Sequence, residues 1–185
     1  MIKIIGGAGF VGTHLKEKFS EYVILDKSFS NYEEIEKKHI YCDITKKYTL
    51  NGLIKKDDII ILLAAEHKDN VSPVKKYYET NVEGTQNVLD QMDKVGCRRL
   101  IFTSSVAVYG LNKKNPNENS IPDPFNHYGK SKLEAERRIL SWYNKDKNEK
   151  QAIIIRPTVI FGPKNRGNVF NLLKQISSGF FIMIG

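Results

Sequence analysis

A chain of 185 residues is long enough for one domain with a sizeable core, and 41% hydrophobic with 27% charged residues is ordinary for a globular protein. The formal charge of +8 comes with lysine pairs (Lys37-Lys38, Lys46-Lys47, Lys55-Lys56, Lys75-Lys76, Lys113-Lys114) too scattered for a nucleic-acid stripe; they read as solvated faces with some pull on an anionic substrate. Cys42 and Cys97 are too few for a disulfide framework or a metal site, and without a leader or a membrane-length apolar run the chain reads as cytoplasmic, with no membrane contact.

Ile2, Ile4 and Ile5 spell a short buried strand, and a glycine loop follows at once. Gly7-x-Gly9-x-x-Gly12 then gives way to Val11, Leu15 and Phe19 at helical spacing. Alone the glycines are a weak signal. Between a strand and a helix they let the turn close and the backbone approach a pyrophosphate resting on the helix start. A glycine-rich turn without a ligand is the bland alternative. Twenty residues after Gly6, the strand Tyr22-Val-Ile-Leu25 ends in Asp26, where a carboxylate accepts hydrogen bonds from an adenosine ribose. The same carboxylate repels a 2′-phosphate, which favours NAD over NADP. Lys27 beside it is either a solvated loop lysine or a phosphate partner.

Asn31 to Lys38 predicts a short polar helix, and His39-Ile-Tyr-Cys42 a third strand ending at Asp43. The continuous apolar run Asp58-Ile-Ile-Ile-Leu-Leu-Ala-Ala65 is what a central parallel strand buried on both faces needs. One long helix is expected over Val74 to Val95, stopped by Gly96 at its C-terminal cap. Arg99-Leu-Ile-Phe-Thr103 is the next strand, running into Ser104-Ser105. Asn112 to Pro124, rich in Asn and Pro, reads as loop; a helix follows from Tyr128 to about Trp142, then a strand over Ala152-Ile-Ile-Ile155. Strand and helix alternate throughout, the mark of a doubly wound α/β (Rossmann) fold with a parallel sheet. Residues 1–163 are expected to be its dinucleotide-binding domain. Residues 164–185 are expected to begin a small substrate-binding region that is largely missing, since the apolar end Phe180-Phe-Ile-Met-Ile184 gives the chain a cut-short look.

Tyr128-Gly-Lys-Ser-Lys132 carries the chemistry. Residues four apart share a helix face, so the phenol and the ammonium can sit side by side. A cation beside a tyrosine favours the phenolate and draws it toward the working range of a general acid/base. Any Y-x-x-x-K taken alone is as readily an exposed helix pair. Ser105 is either a positioning hydroxyl for the reacting oxygen or a strand-end serine bonding its own backbone. Ser104 reads as structural. His127 points about 100° away from Tyr128 on a helix and reads as a bystander. Glu66 and His67, past the Ala-Ala strand end, are evenly balanced between substrate contact and solvent, and one such pair makes no metal site.

With these pieces in place the sequence resembles the extended short-chain dehydrogenase/reductases, specifically the NAD-dependent sugar-nucleotide epimerase/dehydratase group, from end to end. Gly6-x-x-Gly9-Phe10-Val11-Gly12 matches the family loop, with Ile5 where threonine is usual. Asp43-Ile44 matches the pair set against the adenine, Leu63-Ala64-Ala65 the strand passing the cofactor, and Asn81-Val-Glu-Gly-Thr85 the helix asparagine motif. Thr103-Ser-Ser-Val-Ala-Val-Tyr-Gly110 ends the strand whose last serine, Ser105, is catalytic in the family; Tyr128-x-x-x-Lys132 completes the site, and Arg156-Pro-Thr-Val-Ile-Phe-Gly-Pro163 matches the next strand exit.

The resemblance implies NAD as cofactor, held by Gly6, Gly9, Phe10, Val11, Gly12, Asp26, Asp43, Ile44, Leu63, Ala64, Ala65, Asn81, Tyr128 and Lys132. It implies a nucleoside-diphosphate sugar as substrate, with Ser105 and, by a looser match, Asn168 in contact; Glu66 is a candidate contact by its place past the strand end, and Arg166 is either a phosphate partner or a loop arginine. Val106-Ala107 stands where dehydratases and decarboxylases of the family carry acids, which disfavours both reactions, and Val159 replaces a substrate-contacting asparagine. The expected activity is epimerisation by transient hydride transfer through a keto-sugar. A one-way sugar-nucleotide dehydrogenase or keto-sugar reductase is the alternative among enzymes, and an NAD-sensing or scaffolding protein the alternative outside them. Homodimerisation through the helices of Val74–Val95 and Tyr128–Trp142 is the family's habit.

Overall fold

The computed structural model describes residues 1–28, 38–68, 70–111 and 113–179. The helix expected over Asn31–Lys38 falls outside them but for Lys38, as does the apolar tail Phe180–Gly185. Six strands form one parallel sheet: β1 (Ile2–Ile5), β2 (Tyr22–Asp26), β3 (His39–Tyr41), β4 (Ile59–Leu62), β5 (Arg99–Thr103) and β6 (Gln151–Ile155). They stand in the order β3-β2-β1-β4-β5-β6. The chain reverses its direction of travel between β1 and β4, and a doubly wound sheet opens its ligand crevice at such a switch point. Register is set by runs of apolar pairs such as Ile4 opposite Ile24 on one side and Ile61 on the other.

The helices that follow the strands are α1 (Phe10–Leu15), a run made of α2 (Lys75–Tyr78) and α3 (Thr85–Val95), α4 (His127–Asn144) and α5 (Asn168–Ser177). The run from Lys75 to Val95 is helical as expected, but residues Glu79–Gly84 are wound as π-helix, which apolar spacing alone does not announce. Gly96 closes α3 in the left-handed conformation with φ 72°, and the Cys97 amide donates back to the Met92 carbonyl at 2.8 Å. The Asn126 side chain caps α4 by accepting from the Gly129 amide at 2.8 Å. Val88, Leu89 and Met92 of α3 and Ala135, Ile139 and Trp142 of α4 bury one face of the sheet around Leu62, Leu100 and Phe102. On the other face Ile4, Tyr22 and Ile24 pack with Phe19, while Ile153 and Ile155 of β6 are exposed.

Cys42 and Cys97 are both free and buried, and burial pushes the Cys42 thiol up to about 11, so neither suits redox work. No described helix is long and apolar enough to cross a membrane. The described residues contain no cluster of metal-ligating side chains.

Candidate active site

The carboxyl ends of β1, β2, β4 and β5 open onto two hollows of about 620 and 510 Å³. Gly6, Gly9, Leu63, Ala65, His67 and Lys68 line both, so the two form one trough across the β1/β4 switch. Its floor depends on Gly6. There φ is +80°, and a Cβ would lie 2.4 Å from the Ala64 nitrogen. The closeness follows from the sheet: the Leu63 and Ala64 amides both donate to the Ile5 carbonyl, at 2.8 and 3.0 Å, while the Gly6 amide donates to Leu25 on the far side.

One half of the trough suits a dinucleotide. A Cβ built at Gly9 would meet only the Gly6 carbonyl, at 3.5 Å, which leaves that position open to the hollow. Asp26 accepts from the Ala8 amide at 3.0 Å through one oxygen and from the Ser28 amide at 2.8 Å through the other. It therefore ties the glycine loop to the end of β2 and keeps lone pairs for ribose hydroxyls. Asp43 accepts through one oxygen from both the amide and the hydroxyl of Thr45, and lines the hollow with Ile44. At the wall of the other half the buried Ser104 hydroxyl finds no partner among the described residues, a polar atom left for a ligand to satisfy. These features fit NAD.

The other half carries the reacting groups. Ser105 caps a short 3₁₀ turn over Val106–Tyr109, accepting from the Ala107 amide at 3.1 Å. Gly129 lets α4 sit directly against that turn, since a Cβ there would lie 2.5 Å from the Ala107 carbonyl oxygen. This close approach brings Tyr128 to Ser105. Burial raises the Tyr128 phenol above its ordinary value of 10, and a hydrogen bond from the Ser105 hydroxyl opposes the rise. Ser105 thus accepts from its own backbone while standing beside the phenol.

Lys132 corrects an expectation. It was to stand beside Tyr128 as a cation and make the phenol more acidic. Instead its ammonium donates to the Thr103 carbonyl at 2.5 Å and lies 4.2 Å from the Phe102 ring centroid, and the phenol is raised, not lowered. Burial pulls Lys132 down to about 7, with the charge of Glu136 opposing. The folded chain therefore holds fewer protons here than the unfolded one between about 7 and the ordinary 10.5. This contribution to stability is full above that window and is lost as pH falls through it. Lys132→Met should raise the melting temperature of the ligand-free protein at pH 7, by roughly 2–4 °C for each kcal/mol of desolvation removed. It should also flatten the gain in stability between pH 7 and 10. A lower melting temperature for the variant at pH 7 would show that the Thr103 contact outweighs the burial cost.

Of the cofactor residues read from sequence, all but Asn81 line the trough. Asn81 is buried in the π segment and spends its amide on protein. It accepts from the Glu66 amide at 2.8 Å and donates to the Glu66 carbonyl at 3.0 Å and the Ser131 hydroxyl at 2.8 Å. It pins the β4 exit to α4, one residue from Lys132. Glu66 lines the dinucleotide half, and Asn168, at the start of α5, lines the reacting half. His127 turns away to Tyr78, whose hydroxyl lies 3.1 Å from its Nδ1. Two features went unread: the Lys68 position shared by both halves and the pairing of Glu136 with Arg156. The wall Pro157–Ile160 belongs to the strand-exit motif Arg156–Pro163, and Glu136 left a trace one helical turn beyond Lys132.

A switch-point trough with a glycine floor, a ribose-facing acid and a Ser-Tyr-Lys wall defines a dinucleotide-dependent fold of the short-chain dehydrogenase type. A profile of the NAD dependent epimerase/dehydratase family matches residues 2–182, and the chain belongs to that family. It is 52% identical, over its whole length and 56% of the relative's, to N-acetyl-alpha-D-glucosaminyl-diphospho-ditrans,octacis-undecaprenol 4-epimerase of Escherichia coli O157:H7. It is 30% identical to UDP-glucose 4-epimerase of Lactobacillus helveticus, over 78% of this chain and 47% of that one. Among solved structures, UDP-glucose 4-epimerase from Brucella ovis in complex with NAD superposes with a TM-score of 0.72 at 27% identity, over 84% of this chain and 50% of that one. The chain thus spans about half the length of these relatives.

Proposed function

We propose that this chain forms the cofactor-binding and proton-transferring part of an NAD-dependent 4-epimerase acting on a sugar joined to a diphosphate. The observation that carries the reading is the meeting of Ser105, Tyr128 and Lys132 on one wall of a trough built for a dinucleotide. NAD, when bound, would take hydride from the sugar carbon, return it to the other face, and bring the positive ring charge that the Tyr128 phenol lacks in the protein alone. Tyr128 accepts the proton of the sugar hydroxyl and gives it back after the keto-sugar turns over. Ser105, beside Tyr128, orients that same oxygen. Lys132 offers its ammonium to ribose hydroxyls. Val106 and Ala107, in the turn beside Ser105, supply no acid for water loss or decarboxylation, which favours epimerisation within this family.

The carrier of the sugar has two readings. The expected one is a nucleoside diphosphate, supported by the UDP-glucose epimerases among the relatives. The relative at 52% identity is named for a polyprenyl diphosphate carrier, which favours that carrier here. Incubating the complete protein with NAD and either UDP-linked or detergent-solubilised polyprenyl-diphosphate-linked N-acetylglucosamine, with products read by NMR, separates them. Inversion at C4 is the expected result. Bound NAD with no turnover of either would favour a sensing or scaffolding role, and net oxidation or reduction a dehydrogenase or reductase.

NAD is expected to bind at least tenfold more tightly than NADP, a difference of about 1.4 kcal/mol, because Asp26 faces the ribose position with a negative charge. Calorimetric titration giving equal or stronger NADP binding would remove that role from Asp26 and give it to Lys27. We also infer a cytoplasmic homodimer through the outer faces of α3 and α4, where Leu140 is 47% exposed. Sedimentation of a Leu140→Glu variant checks the pairing.

A further inference from the structure

Glu136 lies one turn beyond Lys132 on α4 and is 1% exposed. An acid that deep needs a partner, and Arg156, at the exit of β6, provides a two-pronged one. Its Nε donates to one carboxylate oxygen at 2.9 Å and its Nη2 to the other at 2.6 Å. The third prong of the guanidinium donates to the Tyr109 hydroxyl at 2.7 Å, and the group stands 4.9 Å from the Tyr109 ring centroid. Tyr109 closes the same 3₁₀ turn that Ser105 opens. One buried carboxylate thus joins the turn bearing Ser105, the helix bearing Tyr128 and Lys132, and the strand exit that walls the trough.

If this were only a brace, an uncharged pair would serve as well, and burying two charges would be a poor way to build it. The neighbour that needs the charge is Lys132. Among the described residues its other close partners are the Thr103 carbonyl and the Phe102 ring, neither of them ionised. On its own helix it shares a face with Tyr128 and Glu136. Across from Glu136 stand Arg156 on the β6 exit and, beyond it, Tyr109 in the turn. Glu136 is the one acid of this set.

We propose that Glu136, held in place by Arg156, is a positioning residue for Lys132, supplying the buried counter-charge that keeps the ammonium protonated for work in the site. Its importance for turnover rests on the epimerase reading; its effect on Lys132 does not. In support, burial alone drives Lys132 toward neutrality, and the charge of Glu136 is what opposes it.

The test reads the Lys132 proton directly. The chain is prepared with ¹³C-labelled lysine, the Lys132 ε-carbon signal is assigned by its loss in Lys132→Met, and its titration is followed against pH. In Glu136→Gln the midpoint should fall by about one pH unit or more, as expected for removal of a near opposite charge. The variant Glu136→Gln with Arg156→Gln, an amide pair with no stranded guanidinium, guards against misfolding of the single variant and should also titrate below the native protein. An unchanged midpoint in either folded variant overturns the proposal and leaves Glu136 a brace. In the complete protein the alkaline limb of kcat should move down with the midpoint. A midpoint that moves while the limb stays would overturn the role in the reaction. Absence of turnover in the native protein at every pH would count against the epimerase reading alone.

Discussion

Tyr128→Phe should cut turnover of the complete protein by ~10²–10⁴-fold, the usual loss when a general acid/base is removed. The substitution keeps the ring and deletes one hydroxyl, whose interaction is with Ser105. Packing of α4 against the 3₁₀ turn rests on Gly129 and the Asn126 cap, so fold and NAD affinity should survive. Because burial holds the native phenol above its ordinary range, the rate should climb with pH on its acid side and reach a plateau only where bound NAD has made the phenol easier to ionise. Steady-state rates beside calorimetric NAD titrations for both proteins decide the matter. An active variant would transfer the chemistry elsewhere, and His127 would be the first suspect despite its attachment to Tyr78.

Gly6→Ala is the substitution expected to damage the fold most. It meets two costs at once: a φ of +80° that L side chains rarely adopt, and a Cβ 2.4 Å from the Ala64 backbone nitrogen, which two hydrogen bonds to Ile5 keep from retreating. Backbone strain of roughly 1–2 kcal/mol and overpacking of roughly 1–3 kcal/mol together suggest a loss of about 3 kcal/mol. NAD binding should vanish with it. Gly52→Ala is the control, because its φ of +75° imposes the strain while nothing lies within 4 Å of the added carbon. Urea denaturation of both variants separates the terms, and a Gly6→Ala protein no less stable than Gly52→Ala would show that β1 and β4 can part.

Much of this was legible in the amino-acid order. The glycine loop, Asp26, the apolar run into Ala65 and the Tyr128–Lys132 spacing each impose one local requirement, and local requirements survive in sequence. The doubly wound parallel sheet followed from strand and helix alternating, while the order of its six strands comes from the structure. The protein partners of Asn81 stayed hidden because its motif names a residue type but not the atoms it meets. Its partners, Glu66 and Ser131, come from elements that only packing brings together. The Thr103 contact of Lys132 stayed hidden for a related reason. Spacing put it on the face of Tyr128, but the cost of burying an ammonium beside the end of β5 turns it to the Thr103 carbonyl. Arg156 lay in a quoted motif with no visible partner, since Glu136 is twenty residues away.

The π-wound stretch Glu79–Gly84 limits how this segment tolerates changes in length. A π turn takes up more residues than an α turn, so it shifts the angular phase of everything after it relative to everything before. Before it, Tyr77 accepts from the Val71 amide and donates to the Lys68 carbonyl, fastening the chain at the mouth of the trough. After it, Val88, Leu89 and Met92 face the sheet. Straightening this stretch to α winding without losing a residue would rotate one half against the other by about 100°. Either the mouth would come unfastened or the core face of α3 would turn out to solvent. Substitutions at exposed Glu79 or Glu83 should therefore be mild, and a single-residue deletion between them, which removes the surplus residue, should cost less stability than a single-residue insertion within Thr85–Val95, which turns the core face of α3 away.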